Sequence, residues 1–269
     1  MRLEGRVAVV TGGHRGIGSA CAIRLAEEGV DVIAVDIGKR IGSVPAPLAG
    51  DADLAETEKR VTATGRRFLP FTADVRDRDA LESAVAEGVA QLGRLDIVVA
   101  NAGIFPVAFE GADEQRAWQD AIDVNLTGVW NTLKVTTSRI LAGERGGCIT
   151  IIGSTAGLRG LSDGWAGYDG YVASKHATVG LMRSYANILG PQSVRVNIVH
   201  PGGVATTIVD NPDYAAKRSN ASTYPSPLLP IDKMDPRYIA NAVTWLATDE
   251  AEYITGVELP VDAGFSARR

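Results

Sequence analysis

The sequence has 269 residues, 45% hydrophobic and 22% charged, enough to bury a substantial core in one large or two small domains. A formal net charge of −5 and the lack of any basic run argue against a nucleic-acid binder, which presents a positive face. No apolar stretch approaches ~18 residues, and Met1 to Arg6 leads straight into a short apolar run, so neither a membrane span nor a secretory leader is expected and a cytoplasmic location is. Cys21 and Cys148 lie far apart in apolar surroundings and are expected to be buried free thiols; with three histidines at no metal-ligand spacing, no metal site is expected.

In chain order, Val7 to Thr11 reads as a buried strand followed by a helix over Ile17 to Glu28. A second strand, Val30 to Val35, is separated from the helix Leu54 to Ala63 by an insertion, Ile37 to Ala52. A weaker strand, Phe68 to Thr72, precedes the helix Arg78 to Leu92 and the strand Leu95 to Ala100. The helix Glu114 to Leu141, the strand Cys148 to Ile152, the helix Tyr171 to Leu189 and the strand Val194 to Val199 follow. After Thr206 to Asp235, the helix Pro236 to Thr248 and the strand Val257 to Val261 close the chain. Short apolar runs without alternation fit parallel strands covered on both faces. Strand–helix alternation along the whole length predicts βαβ units and one α/β, doubly wound sheet in a single domain, 1–269.

The helices Glu114 to Leu141 and Tyr171 to Leu189 carry apolar residues over more than one stripe, among them Trp118, Trp130, Tyr185 and Ile188. A helix apolar beyond its core face is expected to be buried a second time, which predicts a homo-oligomer.

The first strand runs into Thr11-Gly12-Gly13-His14-Arg15-Gly16-Ile17-Gly18 and at once into a helix. Glycines allow a tight turn and close approach of a pyrophosphate, and the helix N-terminus offers N–H groups and a positive dipole end. Asp36 ends the next strand, where a carboxylate accepts from ribose hydroxyls and repels a 2′-phosphate. That predicts NAD over NADP, although Arg15 pulls the other way.

Tyr171 and Lys175 stand four apart on a predicted helix, so their Cβ atoms lie ~5–6 Å apart on one face. An ammonium that close favours the phenolate and brings the phenol into the range of acid–base chemistry. Tyr168 is a rival by position, but four residues on it meets Val172.

Thr11 to Gly18, Asn101-Ala102-Gly103, Asn125, Ser154, the Tyr171/Lys175 pair and Pro201-Gly202 occur in the order seen in the short-chain dehydrogenase/reductase family, which the chain resembles over nearly its full length. The resemblance implies a Rossmann-type sheet of about seven strands in the order 3-2-1-4-5-6-7. It implies that Asn125, Ser154, Tyr171 and Lys175 are catalytic. Ser154 would bond the substrate oxygen, Tyr171 would move the proton, Lys175 would tune Tyr171 and hold the nicotinamide ribose, and Asn125 would hold a water. It assigns the cofactor to Gly12, His14, Arg15, Gly16, Ile17, Gly18, Asp36, Ile37, Asp74, Val75, Asn101, Ala102, Gly103, Tyr171, Lys175, Pro201, Gly202, Val204 and Thr206. Thr207 competes with Thr206 for a hydroxyl contact to the carboxamide.

The insertion, with Asp53 to Thr57, Val129 to Thr132, Lys175-His176 and Leu181 to Arg183, resembles the carveol-dehydrogenase-like, mycofactocin-coupled branch. That implies oxidation of apolar or cyclic, terpenoid-like secondary alcohols. It also implies an inserted loop (37–52) that buries NAD and a separate redox acceptor; the homo-oligomer expected from the two helices is taken as a tetramer. The Pro-rich segment 204–235, with Ile208, Tyr214, Tyr224, Leu228 and Leu229, reads as a substrate lid, and Phe105 and Trp165 as further pocket residues. A sugar phosphate or acyl thioester would want basic residues at the mouth, for which Arg159 and Lys217/Arg218 are the few candidates. Two other readings stay open: an NADP-linked 3-oxoacyl thioester reductase, and a non-catalytic NAD-binding protein on the same fold.

Overall fold

A computed structural model describes residues 1–45, 48–107, 111–207 and 226–268. Seven strands form one sheet: β1 Val7–Thr11, β2 Asp31–Asp36, β3 Phe68–Thr72, β4 Ile97–Ala100, β5 Gly147–Ile152, β6 Val194–Pro201 and β7 Glu258–Val261. The order is β3-β2-β1-β4-β5-β6-β7, as expected, and every pairing is parallel. The strands β1, β4 and β5 are buried on both faces, which explains their unalternating Val, Ile and Ala. β3 lies at the sheet edge, where alternating burial and Pro70 are tolerated; this is why it reads weakly in sequence.

Around the sheet stand α1 Gly16–Glu27, α2 Asp51–Thr62, α3 Arg78–Leu92, α4 Glu114–Ile122, α5 Gly128–Leu141, α6 Ala166–Leu189 and α7 Pro236–Ala247. Alternate residues of each strand serve opposite cores. Val7, Val9 and Ile33 join Leu81, Leu133 and Met182 of α3, α5 and α6. Ala8, Val10 and Val32 join Leu25, Val61 and Val243 of α1, α2 and α7. Cys21 and Cys148 are buried free thiols, and burial pushes the Cys21 thiol up to about 12. Among the described residues no helix is long and apolar enough to cross a membrane.

Two helices differ from the sequence reading. The rod expected over Glu114 to Leu141 is divided by a π-helical turn, Asp123–Thr127. Asn125 in that turn has both amide groups bonded to the Ile104 backbone, an engagement that the sequence does not announce. The helix expected from Tyr171 begins instead at Ala166. Gly167 and Gly170 suggest a loop, but a Cβ on Gly170 would lie 3.0 Å from the Trp118 carbonyl oxygen. The glycine is there for close approach of α4 and α6, not for a turn. Most of the apolar excess of α4–α6 goes into the chain's own core, while Trp118 and Trp130 (39% exposed each) and Ile188 (62%) remain outside it.

Candidate active site

A cleft opens at the C-terminal ends of the strands, where parallel sheets place ligands. It encloses about 1180 Å³ out to its open mouth. Gly12, Arg15, Gly16 and Ile17 line it at one end, with Asp36, Ile37, Asp74 and Val75. Asn101, Ala102 and Gly103 lie in the middle; Ser154, Tyr171, Lys175, Pro201, Gly202, Val204 and Thr206 line the other end. Thr207 lines it too, so geometry leaves both threonines as hydroxyl donors.

The glycine loop is built for close approach. A Cβ on Gly18 would lie 1.9 Å from the Gly12 carbonyl oxygen and 2.6 Å from Asn101 Nδ2, so the first turn of α1 is pressed onto the loop. Asn101 Nδ2 donates to the carbonyls of Thr11 (2.9 Å) and Gly12 (3.1 Å), tying β4 to the loop. No side chain caps α1 and its first turn carries no acid, so the helix offers its N–H groups and positive end to an anion. This cradle fits a pyrophosphate, and the carboxylate at the end of β2 fits a ribose diol.

Asp36 accepts from the backbone N–H of Ile37 (2.8 Å) and of His14 (3.2 Å), which fixes its carboxylate at the rim. Asp74 accepts from Arg76 through Nε and Nη2, the latter at 2.8 Å. Burial pushes the Asp74 carboxyl up, but the hydrogen bonds and charge of Arg76, helped by Lys39, outweigh it and hold the group below the ordinary range. Burial also lowers the Arg15 guanidinium, against the opposing pull of Asp53 and Asp36.

At the other end, Lys175 is 4% exposed. Its Nζ donates to the Ile152 carbonyl at 2.9 Å and lies 5.6 Å from the Tyr171 ring centroid. Burial alone draws its pKa down to about 8. Phe105 packs edge-on to Tyr171, with centroids 4.7 Å apart, and so helps set the phenol's place. Ser154 follows β5; its Oγ accepts from the Ala156 N–H at 3.1 Å, which leaves the hydroxyl hydrogen free to point into the cleft.

Several expected site residues are not at the cleft wall. His14 is turned inward and buried, its pKa lowered by burial; only its backbone contributes, by bonding Asp36. Gly18 packs beneath Gly12 rather than beside the cleft. Asn125 is fully buried, its amide closing two bonds with Ile104, and it braces the turn after β4. Phe105 reaches the site through the Tyr171 ring, whereas Trp165 caps α6 and folds against Gly167. Arg159 donates to the carbonyls of Phe265 (3.1 Å) and Arg268 (2.6 Å); it holds the C-terminal tail and is not a free cation at the mouth. Ile208, Tyr214, Lys217, Arg218 and Tyr224 lie outside the described residues.

The insertion reaches the cofactor end, as the resemblance implies, and brings partners that the sequence does not show. Ile41, Leu48 and Ala49 of the insertion line the cleft beside Val35 and Ala73. The buried Ser43 hydroxyl donates to Asp120 Oδ2 at 2.8 Å. Asp120 also takes Arg76 (3.0 Å) and Arg116 (3.1 Å). An acid on the core-facing side of α4 is the one signal that could have revealed this network.

A family model described as Enoyl-(Acyl carrier protein) reductase matches residues 12–266. The chain is 48% identical over 271 residues to an uncharacterized oxidoreductase of Mycobacterium tuberculosis, covering 99% of this chain and 98% of that protein. It is 45% identical over 276 residues to the (-)-trans-carveol dehydrogenase of Rhodococcus erythropolis, covering 98% of each. Among solved structures it is similar to carveol dehydrogenase from Mycobacterium avium in complex with NAD, at 42% identity over 99% of each chain with a TM-score of 0.89.

Proposed function

Because the chain belongs to the short-chain dehydrogenase/reductase family, we propose that it interconverts an apolar or cyclic, terpenoid-like secondary alcohol and its ketone. It is an NAD-dependent oxidoreductase. The observation that carries the reading is that Ser154, Tyr171 and Lys175 line the same cleft as the glycine loop and Asp36.

NAD, when bound, would supply the hydride chemistry. Ser154 donates its free hydroxyl hydrogen to the substrate oxygen and so orients it. Tyr171 takes the substrate's hydroxyl proton in oxidation and returns it in reduction. Lys175, whose ammonium has the Ile152 carbonyl as its hydrogen-bond partner, stabilises the phenolate and meets the ribose hydroxyls. Asn125, with its amide taken by Ile104, would hold a proton-carrying water only through its backbone.

The insertion over 37–52 would retain NAD, so that turnover needs a separate redox acceptor. The lining by Ile41, Leu48 and Ala49 supports this. The segment 204–235 would act as a substrate lid. Its described ends are pinned together, Ala205 N–H to the Met234 carbonyl (2.8 Å) and Met234 N–H to Gly203 (2.9 Å). The exposed Trp118, Trp130 and Ile188 would meet neighbouring subunits in a tetramer. The whole chain would then be one domain.

The test is oxidation of a panel of cyclic secondary alcohols, with and without an artificial electron acceptor. The expected result is slow turnover with added NAD alone and restoration by the acceptor. Fast multiple turnover on NAD alone would remove the retention reading, and inactivity on every alcohol would remove the substrate reading. A 3-oxoacyl thioester reductase is disfavoured by Asp36 and by the engagement of Arg159 with the C-terminal tail. A non-catalytic binder has no reason to keep Ser154, Tyr171 and Lys175 at one cleft.

A further inference from the structure

His200, in β6, is fully buried and takes no part in the chemistry above. Its Nδ1 lies 2.7 Å from the Ser154 carbonyl oxygen. The Ser154 N–H also lies 3.3 Å from Nδ1, where it would donate to a bare nitrogen; but a bare Nδ1 at 2.7 Å from the carbonyl oxygen would set lone pair against lone pair, so the shorter contact decides and Nδ1 carries the hydrogen and donates it. Nε2 then has no hydrogen bond; it faces Glu258 Oε2 at 3.5 Å, and Glu258 also takes Arg183 at 2.6 Å.

Two glycines make room for the ring. A Cβ on Gly153 would lie 2.6 Å from Nδ1. A Cβ on Gly157 would lie 3.4 Å from Cε1 and 2.7 Å from the Lys175 carbonyl oxygen. One imidazole thus packs against the residues on both sides of Ser154 and, across Gly157, near the turn of α6 that carries Lys175. Beyond Gly153, whose N–H still pairs with the Val199 carbonyl at 2.8 Å, the chain leaves the sheet. From there the Ser154 carbonyl accepts from Gly157 N–H at 2.8 Å and from His200. Burial, with Lys175 nearby, favours the neutral ring, against the bond to Ser154 and the pull of Glu258.

We propose that His200 is a positioning residue for the reaction: its Nδ1–H anchors the Ser154 backbone, so that Ser154 Oγ meets the substrate oxygen at a fixed place relative to Lys175. This rests on the dehydrogenase reading. In that reading a small displacement of Ser154 costs rate rather than cofactor affinity.

Three substitutions separate anchoring from packing. His200→Asn places an amide N–H near the Nδ1 position, His200→Gln places it near Nε2, and His200→Leu fills space without a donor. The expected result is kcat within about 3-fold of the parent for Asn and lower by about 10- to 100-fold for Gln and Leu, with NADH affinity unchanged. Equal losses in Asn and Gln, or a Leu variant with parental kcat, would overturn the proposal. If Leu fails to fold, Asn against Gln still decides. A second readout needs no substrate: amide exchange at Ala156, whose N–H rests on Ser154 Oγ, should quicken in Gln and Leu but not in Asn. Uniform exchange across the three would overturn the anchor even if no alcohol were ever turned over. Inactivity of the parent with this exchange pattern intact would instead count against the alcohol reading alone.

Discussion

At the β2 end of the cleft, Asp36, Asp74 and Asp120 all have protein partners: backbone N–H groups for the first, Arg76 for the second, Ser43, Arg76 and Arg116 for the third. At the β5 end, Lys175 is buried with the Ile152 carbonyl as its hydrogen-bond partner, and burial is what draws its pKa to about 8. At one end every one of these carboxylates has its partner before any ligand arrives; the other holds a charge whose complement comes with the ligand and the reacting phenol. Binding is therefore preorganised where the adenosine would lie, and a desolvated charge is kept where the chemistry would occur.

The largest effect that can break this contrast is at the phenol. Tyr171→Phe removes the acid–base group while keeping the ring against Phe105. The expected loss in kcat is ~10²–10⁴-fold, with NADH binding close to the parent's. Steady-state kinetics beside a binding titration would check it; equal damage to both would mean that the two ends are not separable.

Next is the charge itself. The Lys175 pKa is about 8 when folded, against an ordinary 10.5. Between those values the unfolded chain binds more protons, so stability rises with pH across the window; below about 8 the full penalty is present. Lys175→Met in cofactor-free protein should therefore stabilise at pH 7, by on the order of 3 kcal/mol at most, with the gain fading toward pH 10.5. Activity should be lost in the same variant. Thermal melting at several pH values reads the sign, and destabilisation at pH 7 would show that the ammonium is better compensated than its surroundings indicate.

At the satisfied end, Asp36→Asn removes one negative charge at the rim. Preference should move toward NADPH by about 10-fold, since repulsion of a 2′-phosphate falls while Arg15 stays beside the cleft. An unmoved NADPH/NADH ratio would mean that Asp36 acts through its bonds to His14 and Ile37 and not through charge.

The same contrast explains what the sequence could reveal. The strands and the glycine loop were legible because parallel sheets demand apolar runs and phosphate cradles demand small residues at fixed places; the strand order came with the family resemblance and not from the runs themselves. Tyr171 and Lys175 were legible because helix geometry puts four-apart residues on one face. Asn125 was legible as a residue but not in its work: its pairing with Ile104 is set by a π turn that no periodicity marks. His14 sits in the motif yet faces inward, because a motif gives positions and not side-chain directions. His200 left one trace, a polar ring between Ile198-Val199 and Pro201 at the end of a buried strand, which requires a buried partner. Long-range partners such as Ser43 and Asp120, 77 residues apart, left only an acid on the core-facing side of α4, which does not say what it meets.

That last pair gives the smallest expected effect and the sharpest test of retention. Ser43 is 5% exposed and hydrogen-bonds an acid that is 2% exposed, so the bond is sheltered from water and charge-assisted. It fastens the insertion, whose Ile41, Leu48 and Ala49 line the cleft, to α4. Ser43→Ala leaves Asp120 paired with Arg76 and Arg116, so no bare charge remains and the fold should tolerate it. Losing ~1 kcal/mol of latch should raise the NADH dissociation rate about 5-fold, with the chemical step unchanged. Displacement of bound NADH by excess NAD, followed by fluorescence, measures that rate. An unchanged rate would place the grip in the apolar contacts of Ile41 and Leu48. The satisfied network at the β2 end would then serve the fold and not the hold on the cofactor.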